Sequence, residues 1–127
     1  MSAGWEAWLL VALGGALGGA LRHLVGVWSA RLLRVPAHWG TWMVNCSGAA
    51  LLGLVLGLSA DGRGPTIFWW LLLGVGALGS YTTVSTLALQ VLGLVQAGHR
   101  RAAAVYLLAT LAGGIALLLL AFQLASR

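Results

Sequence analysis

At 127 residues the chain has the length of a single domain. Its composition excludes a soluble globule, because 61% of the residues are hydrophobic and only 7% are charged, against roughly 25% charged in soluble domains. The net charge of +5 comes from seven arginines and no lysine, opposed only by Glu6 and Asp61. Those arginines are spread over segment ends and loops, so they form no stripe of the kind that binds nucleic acid. Cys46 is the sole cysteine, which excludes an internal disulfide.

Taken in chain order, the pattern predicts an all-α membrane protein, a single four-helix transmembrane domain over residues 1–127. Each of its four apolar segments approaches the roughly 20 residues needed to cross the hydrocarbon core. The first runs from about Trp8 to Trp28. Glu6 precedes it and no basic leader stands before it, so no removable targeting peptide is expected. Arg22 sits near its end, positioned either to snorkel to the interface or to face a polar path. A connection bearing Arg31, Arg34 and Pro36 leads to the second segment, about Thr41 to Ser59, which carries Asn45 one turn past Thr41. An amide in lipid needs partners, and helix-to-helix hydrogen bonding is its plain role.

Asp61, Gly62 and Pro65 mark the next connection. The third segment, about Ile67 to Val95, exceeds the length of one span and holds Ser80-Tyr81-Thr82-Thr83-Val84-Ser85-Thr86, six hydroxyls in seven residues. Gly74, Gly76 and Gly79 stand just ahead, so the third helix is expected to be broken near Gly79. Unpaired polar groups cost several kcal/mol in hydrocarbon, which places such a cluster against protein or along a path for a solute. After Arg100 and Arg101, the fourth segment runs from about Ala103 to Ala125, with Tyr106 and Thr110 at i and i+4 on one face.

Seven tryptophans, among them Trp5, Trp28, Trp39 and Trp70, lie near segment ends, as in interfacial aromatic belts. Loops one and three carry Arg31, Arg34, Arg100 and Arg101, whereas the opposite side carries Arg63 and Arg127. That bias weakly favours loops one and three in the cytoplasm and leaves double-sided insertion open. The pairs Gly14/Gly18, Gly15/Gly19 and Gly53/Gly57 have the spacing that lets helices approach closely, either within one chain or between two.

Gly74-Val-Gly76-Ala-Leu-Gly79 matches a dinucleotide-binding pattern, but it lies in a span with no strand-turn-helix around it and no acidic residue about 20 positions on. No carboxylate lies within any span, and His23, His38 and His99 are far apart, so neither an enzyme nor a side-chain metal site is expected. Asn45, Tyr106, Thr110 and the hydroxyl run instead supply neutral donors with an arginine nearby. Such groups suit a small anion that must shed water and be re-solvated by protein.

In these residues the chain resembles the CrcB/Fluc family of fluoride channels over essentially its whole length. The resemblance rests on Gly14 to Arg22, then Gly40-Thr41-Trp42-Met43-Val44-Asn45 with Gly48, then Gly74 to Thr86. It implies an antiparallel dual-topology dimer in the cell inner (plasma) membrane, with two anion pores at the subunit interface. It implies passive export of fluoride, with Asn45, Thr83, Ser85, Thr86, Tyr106 and Thr110 lining the pore and Arg22 at its vestibule. It also implies a structural Na⁺ at the dimer centre, held by the backbone carbonyls of Gly79 and Thr82 from each subunit.

The chain departs from the family pattern at Val84 and Leu87, where the family has phenylalanines, at Gln90 in place of a carboxylate, at Gly114 in place of a hydroxyl, and at His23 in place of a tyrosine or tryptophan. The partner is then either a second copy, giving a homodimer with a relined pore, or a homologous subunit, giving a heterodimer in which this chain is a half-pore or non-conducting member. A small proton-coupled multidrug exporter shares the size and span count, but it needs a carboxylate deep in the first helix, and Glu6 precedes that helix.

Overall fold

The computed structural model describes residues 4–127. Four stretches are long and apolar enough to cross a membrane: Trp5–Leu32, Ala37–Ala60, Ile67–Gln96 and Arg100–Ala125. The first, second and fourth are the single helices α1 (Trp5–Leu32), α2 (Ala37–Ala60) and α6 (Arg100–Ala125). The third is composite. It starts as α3 (Ile67–Trp69), widens into a π-helical stretch at Trp70–Leu78, closes as α4 (Gly79–Tyr81), breaks, and resumes as α5 (Val84–Gln96). Four such stretches make this a multi-pass membrane protein.

The helices overrun the apolar segments that the sequence marks. At 28 residues α1 is about 42 Å long, more than the roughly 30 Å of hydrocarbon, so its interfacial tryptophans and Arg31 are helical as well. The helix α2 starts straight after Pro36, whose missing N–H costs nothing where first-turn donors lack partners anyway.

Glycine decides which helices touch. The helix α1 lies along the π-helical stretch and α4, and α2 lies along α6. A Cβ at Gly14 would strike the Leu72 carbonyl, and one at Gly18 the Ala77 carbonyl. Gly53 and Gly57 meet the Leu118 and Phe122 carbonyls of α6 in the same way. Two of the three glycine pairs therefore seal contacts within the chain. Gly19, by contrast, has nothing within 4 Å of where its Cβ would stand.

The π-helical stretch has a local cause. The Trp70 ring folds back over Gly74, where a Cβ would come within 2.6 Å of it. Gly76 meanwhile lets the stretch settle against Val11 and Gly14 of α1.

The break falls one turn beyond Gly79. Gly79 itself is helical, with φ −61° and ψ −34°. Thr82 (φ −76°, ψ 157°) and Thr83 (φ −153°, ψ 124°) are the extended residues. At the end of the bundle where α2 finishes, Arg63 fastens two elements. Its Nε donates to Asp61 at 2.6 Å and its Nη2 to the Ala125 carbonyl at 2.8 Å.

Candidate functional site: a polar seam through the helix break

The site is built around Thr83. A continuous helix would send the Thr83 N–H to the Gly79 carbonyl. Here that N–H donates to Asn45 Oδ1 at 2.7 Å, and Asn45 Nδ2 donates to the Thr83 carbonyl at 2.9 Å. The α2 amide thus satisfies both backbone groups at the break, as hydrocarbon surroundings require.

The Thr83 side chain starts the next helix. Its Oγ1 accepts from the Thr86 backbone N–H at 3.2 Å, an N-cap on α5. The same Oγ1 donates to Thr86 Oγ1 at 3.1 Å and lies 3.2 Å from Ser85 Oγ. The threonine run therefore does two jobs, ending one helix and capping the next.

Two open cavities meet at Thr83. One, of about 540 Å³, lies between α1, α2 and α5 and is lined by Arg22, His23, Thr41, Thr83, Thr86 and Gln90, among others. Among the described residues the only salt bridge is Arg63–Asp61, and no side chain hydrogen-bonds Arg22, so its charge in this cavity has no protein counter-ion. The other, of about 410 Å³, runs between α2, the break and α6, and its lining includes Asn45, Gly79, Thr82, Thr83, Val84 and Thr110. It opens towards the flank where Val84 is 78% exposed.

The fourth-segment residues join the seam through their protons. The Tyr106 hydroxyl, on a residue only 1% exposed, donates to Gln90 Oε1 at 2.8 Å. Thr110 Oγ1 donates back to the Tyr106 carbonyl at 2.8 Å. With their protons committed, these two present lone pairs rather than donors. Donor capacity remains on Thr86, on the Gln90 and Asn45 amides, and on Arg22.

The structure thus brings Asn45, Thr83, Ser85 and Thr86 into one hydrogen-bonded group, with Arg22 across the first cavity from Thr86 and Thr110 across the second from Asn45. Tyr106 reaches the two cavities through its hydrogen bonds with Gln90 and Thr110. Gln90 and Thr41 were not among the residues the sequence singled out for the site. Gln90 lies at i+4 from Thr86 and Thr41 at i−4 from Asn45, so the helical period alone would have placed both on the seam.

Gly79 and Thr82 line the second cavity. Among the described residues no backbone N–H outside the helices reaches the carbonyls of residues 79 to 82. Neutral carbonyl oxygens without helical donors are hard ligands of the kind a monovalent cation takes, so the residues present fit a Na⁺ at this position.

The sequence profile described as CrcB-like protein, Camphor Resistance (CrcB), matches residues 9–122. The chain belongs to the CrcB/FluC family. A protein of Thermus thermophilus named "Fluoride-specific ion channel FluC" is 42% identical over 123 residues, 95% of this chain and 94% of that one. A protein of the same name from Agrobacterium fabrum is 43% identical over 107 residues, 84% of this chain and 86% of its own. A third, from Methylobacterium nodulans, is 43% identical over 109 residues, 85% and 86% of the two chains. These relatives of the CrcB/FluC chain carry the name of an ion channel and not of an enzyme.

Proposed function

We propose that this CrcB/FluC chain conducts fluoride passively across the plasma membrane, as one subunit of an antiparallel dimer. The observation that carries the reading is the seam at Thr83, which joins two cavities with neutral hydrogen-bonding groups, one uncompensated arginine and no carboxylate. The identity of the anion rests on the relatives' names. Glu6 is exposed in the first turn of α1, away from the seam, which weighs against proton-coupled export of cations.

In this mechanism the anion enters the Arg22 cavity, whose positive charge raises its local concentration. It then exchanges water for the donors of Thr86, Gln90 and Asn45 at the constriction beside Thr83. It leaves through the second cavity past Thr110, where a partner subunit would close the open flank at Val84. Fluoride trapped in a neutral cytoplasm after entry as its neutral acid is driven out by about 2.3 kcal/mol per 100 mV of inside-negative potential, so no energy coupling is needed. A Na⁺ between the subunits would be held by the carbonyls of Gly79 and Thr82 from each, fixing the two breaks against each other.

A specific observation also favours a heterodimer. Val84 and Leu87 give this chain no aromatic edge to offer an anion, and Val84 stands on the flank where a homologous subunit could supply one. Fluoride-electrode recordings from liposomes holding the purified chain decide between the two. Efflux from the chain alone supports the homodimer, silence rescued by a co-expressed homologue supports the half-pore subunit, and silence in both refutes conduction.

A further inference from the structure

We infer that Asn45 is a positioning residue that creates the cation site, and not solely a ligand for the passing anion. The inference deepens the proposed dimer and rests on its Na⁺. The backbone hydrogen bonds at the break carry it. If Asn45 were absent, the Thr83 N–H would find its nearest satisfaction at the Gly79 carbonyl, its ordinary i−4 partner, and the segment would close towards continuous helix. Asn45 competes for that proton with a 2.7 Å bond to Oδ1 and holds the Thr83 carbonyl with a 2.9 Å bond from Nδ2. Two bonds from one amide fix Thr83 in the extended conformation and leave the Gly79 carbonyl without its helical donor.

The Thr83 cap on Thr86 and the Thr82 Oγ1 bond to the Leu78 carbonyl at 3.1 Å hold the two sides of the break, but neither touches the Thr83 backbone N–H. Asn45 alone reaches it. One α2 side chain therefore keeps the Gly79 carbonyl free of its helical donor, while the Thr82 carbonyl loses its own donor, the Thr86 N–H, to Thr83 Oγ1.

The test is a Na⁺ titration of the full-length purified protein in a choline background, read as the shift of its thermal unfolding midpoint, with K⁺ as the control ion. The wild-type chain is expected to be stabilised by Na⁺. Asn45→Ala, which loses both bonds, should need about tenfold more Na⁺ for the same shift or show none. Asn45→Asp keeps an oxygen for the Thr83 N–H but sets a carboxylate against the Thr83 carbonyl in place of the Nδ2 bond, so its Na⁺ requirement should rise severalfold while its fluoride efflux falls. An unchanged Na⁺ response in Asn45→Ala overturns the inference. Should that variant fail to fold, an unchanged Na⁺ response in Asn45→Asp overturns it equally. A wild-type protein indifferent to Na⁺ also overturns it, while its efflux in liposomes would leave the conduction reading standing.

Discussion

Gly18 and Gly19 are adjacent in α1 and face opposite surroundings, which makes them a matched test of how the bundle is held. Replacing either by alanine adds one methyl and gains up to about 1 kcal/mol of helix propensity. At Gly19 nothing lies within 4 Å, so that gain stands and stability should hold or rise slightly. At Gly18 the methyl overlaps the Ala77 carbonyl, which is backbone and cannot rotate away. The helix α1 must then move off the π-helical stretch by about 1 Å, and a gap of that size forfeits a quarter to a half of each contact's attraction along the shared face. Overpacking of this kind costs about 1–3 kcal/mol, which outweighs the propensity term. Tryptophan-fluorescence melts in detergent should therefore place Gly18→Ala below wild type and Gly19→Ala at or above it. Equal midpoints for the two variants would refute the account of the α1 seam.

Three further outcomes follow from the site. Arg22→Gln removes the one uncompensated charge of the first cavity, so fluoride flux should fall severalfold at low ionic strength and by less at high salt, as measured in liposomes. Tyr106→Phe removes the donor to Gln90 Oε1, a net loss of about 0.5–1.5 kcal/mol because Gln90 also meets the open cavity, and should lower both the melting midpoint and the flux. Val84→Phe should fold normally because the residue is 78% exposed, whereas Leu87→Ala, which truncates a side chain 5% exposed, should lower the melting midpoint through a loss of about 2–5 kcal/mol.

The spans were legible because hydropathy and length act locally, and both survive into the helices at Trp5–Leu32, Ala37–Ala60, Ile67–Gln96 and Arg100–Ala125. The hydroxyl run marked the seam for a reason that held: the groups from Thr83 to Thr86 bond one another and Asn45. The position of the break was less legible. It was expected near Gly79 and lies within a turn of it, at Thr82 and Thr83, while Gly79 itself is helical. An amide 38 positions earlier in the chain decides that, and local pattern carries no trace of it.

The π-helical stretch goes with contacts that no sequence periodicity flags, the Trp70 ring resting on Gly74 within the stretch and Gly76 meeting α1. Tyr106 and Thr110 share a face as their spacing implies, but the Thr110 proton returns to its own helix. Only the hydrogen-bond directions separate donors from acceptors on that face.

Because Arg63 grips both Asp61 and the last turn of α6, force applied at the carboxyl-terminal end is transmitted to the hairpin between the second and third spans. A purification tag or fluorescent fusion joined directly after Ala125 would tug on that hairpin. An attachment at the opposite end of the chain, or a flexible spacer, would leave the knot undisturbed.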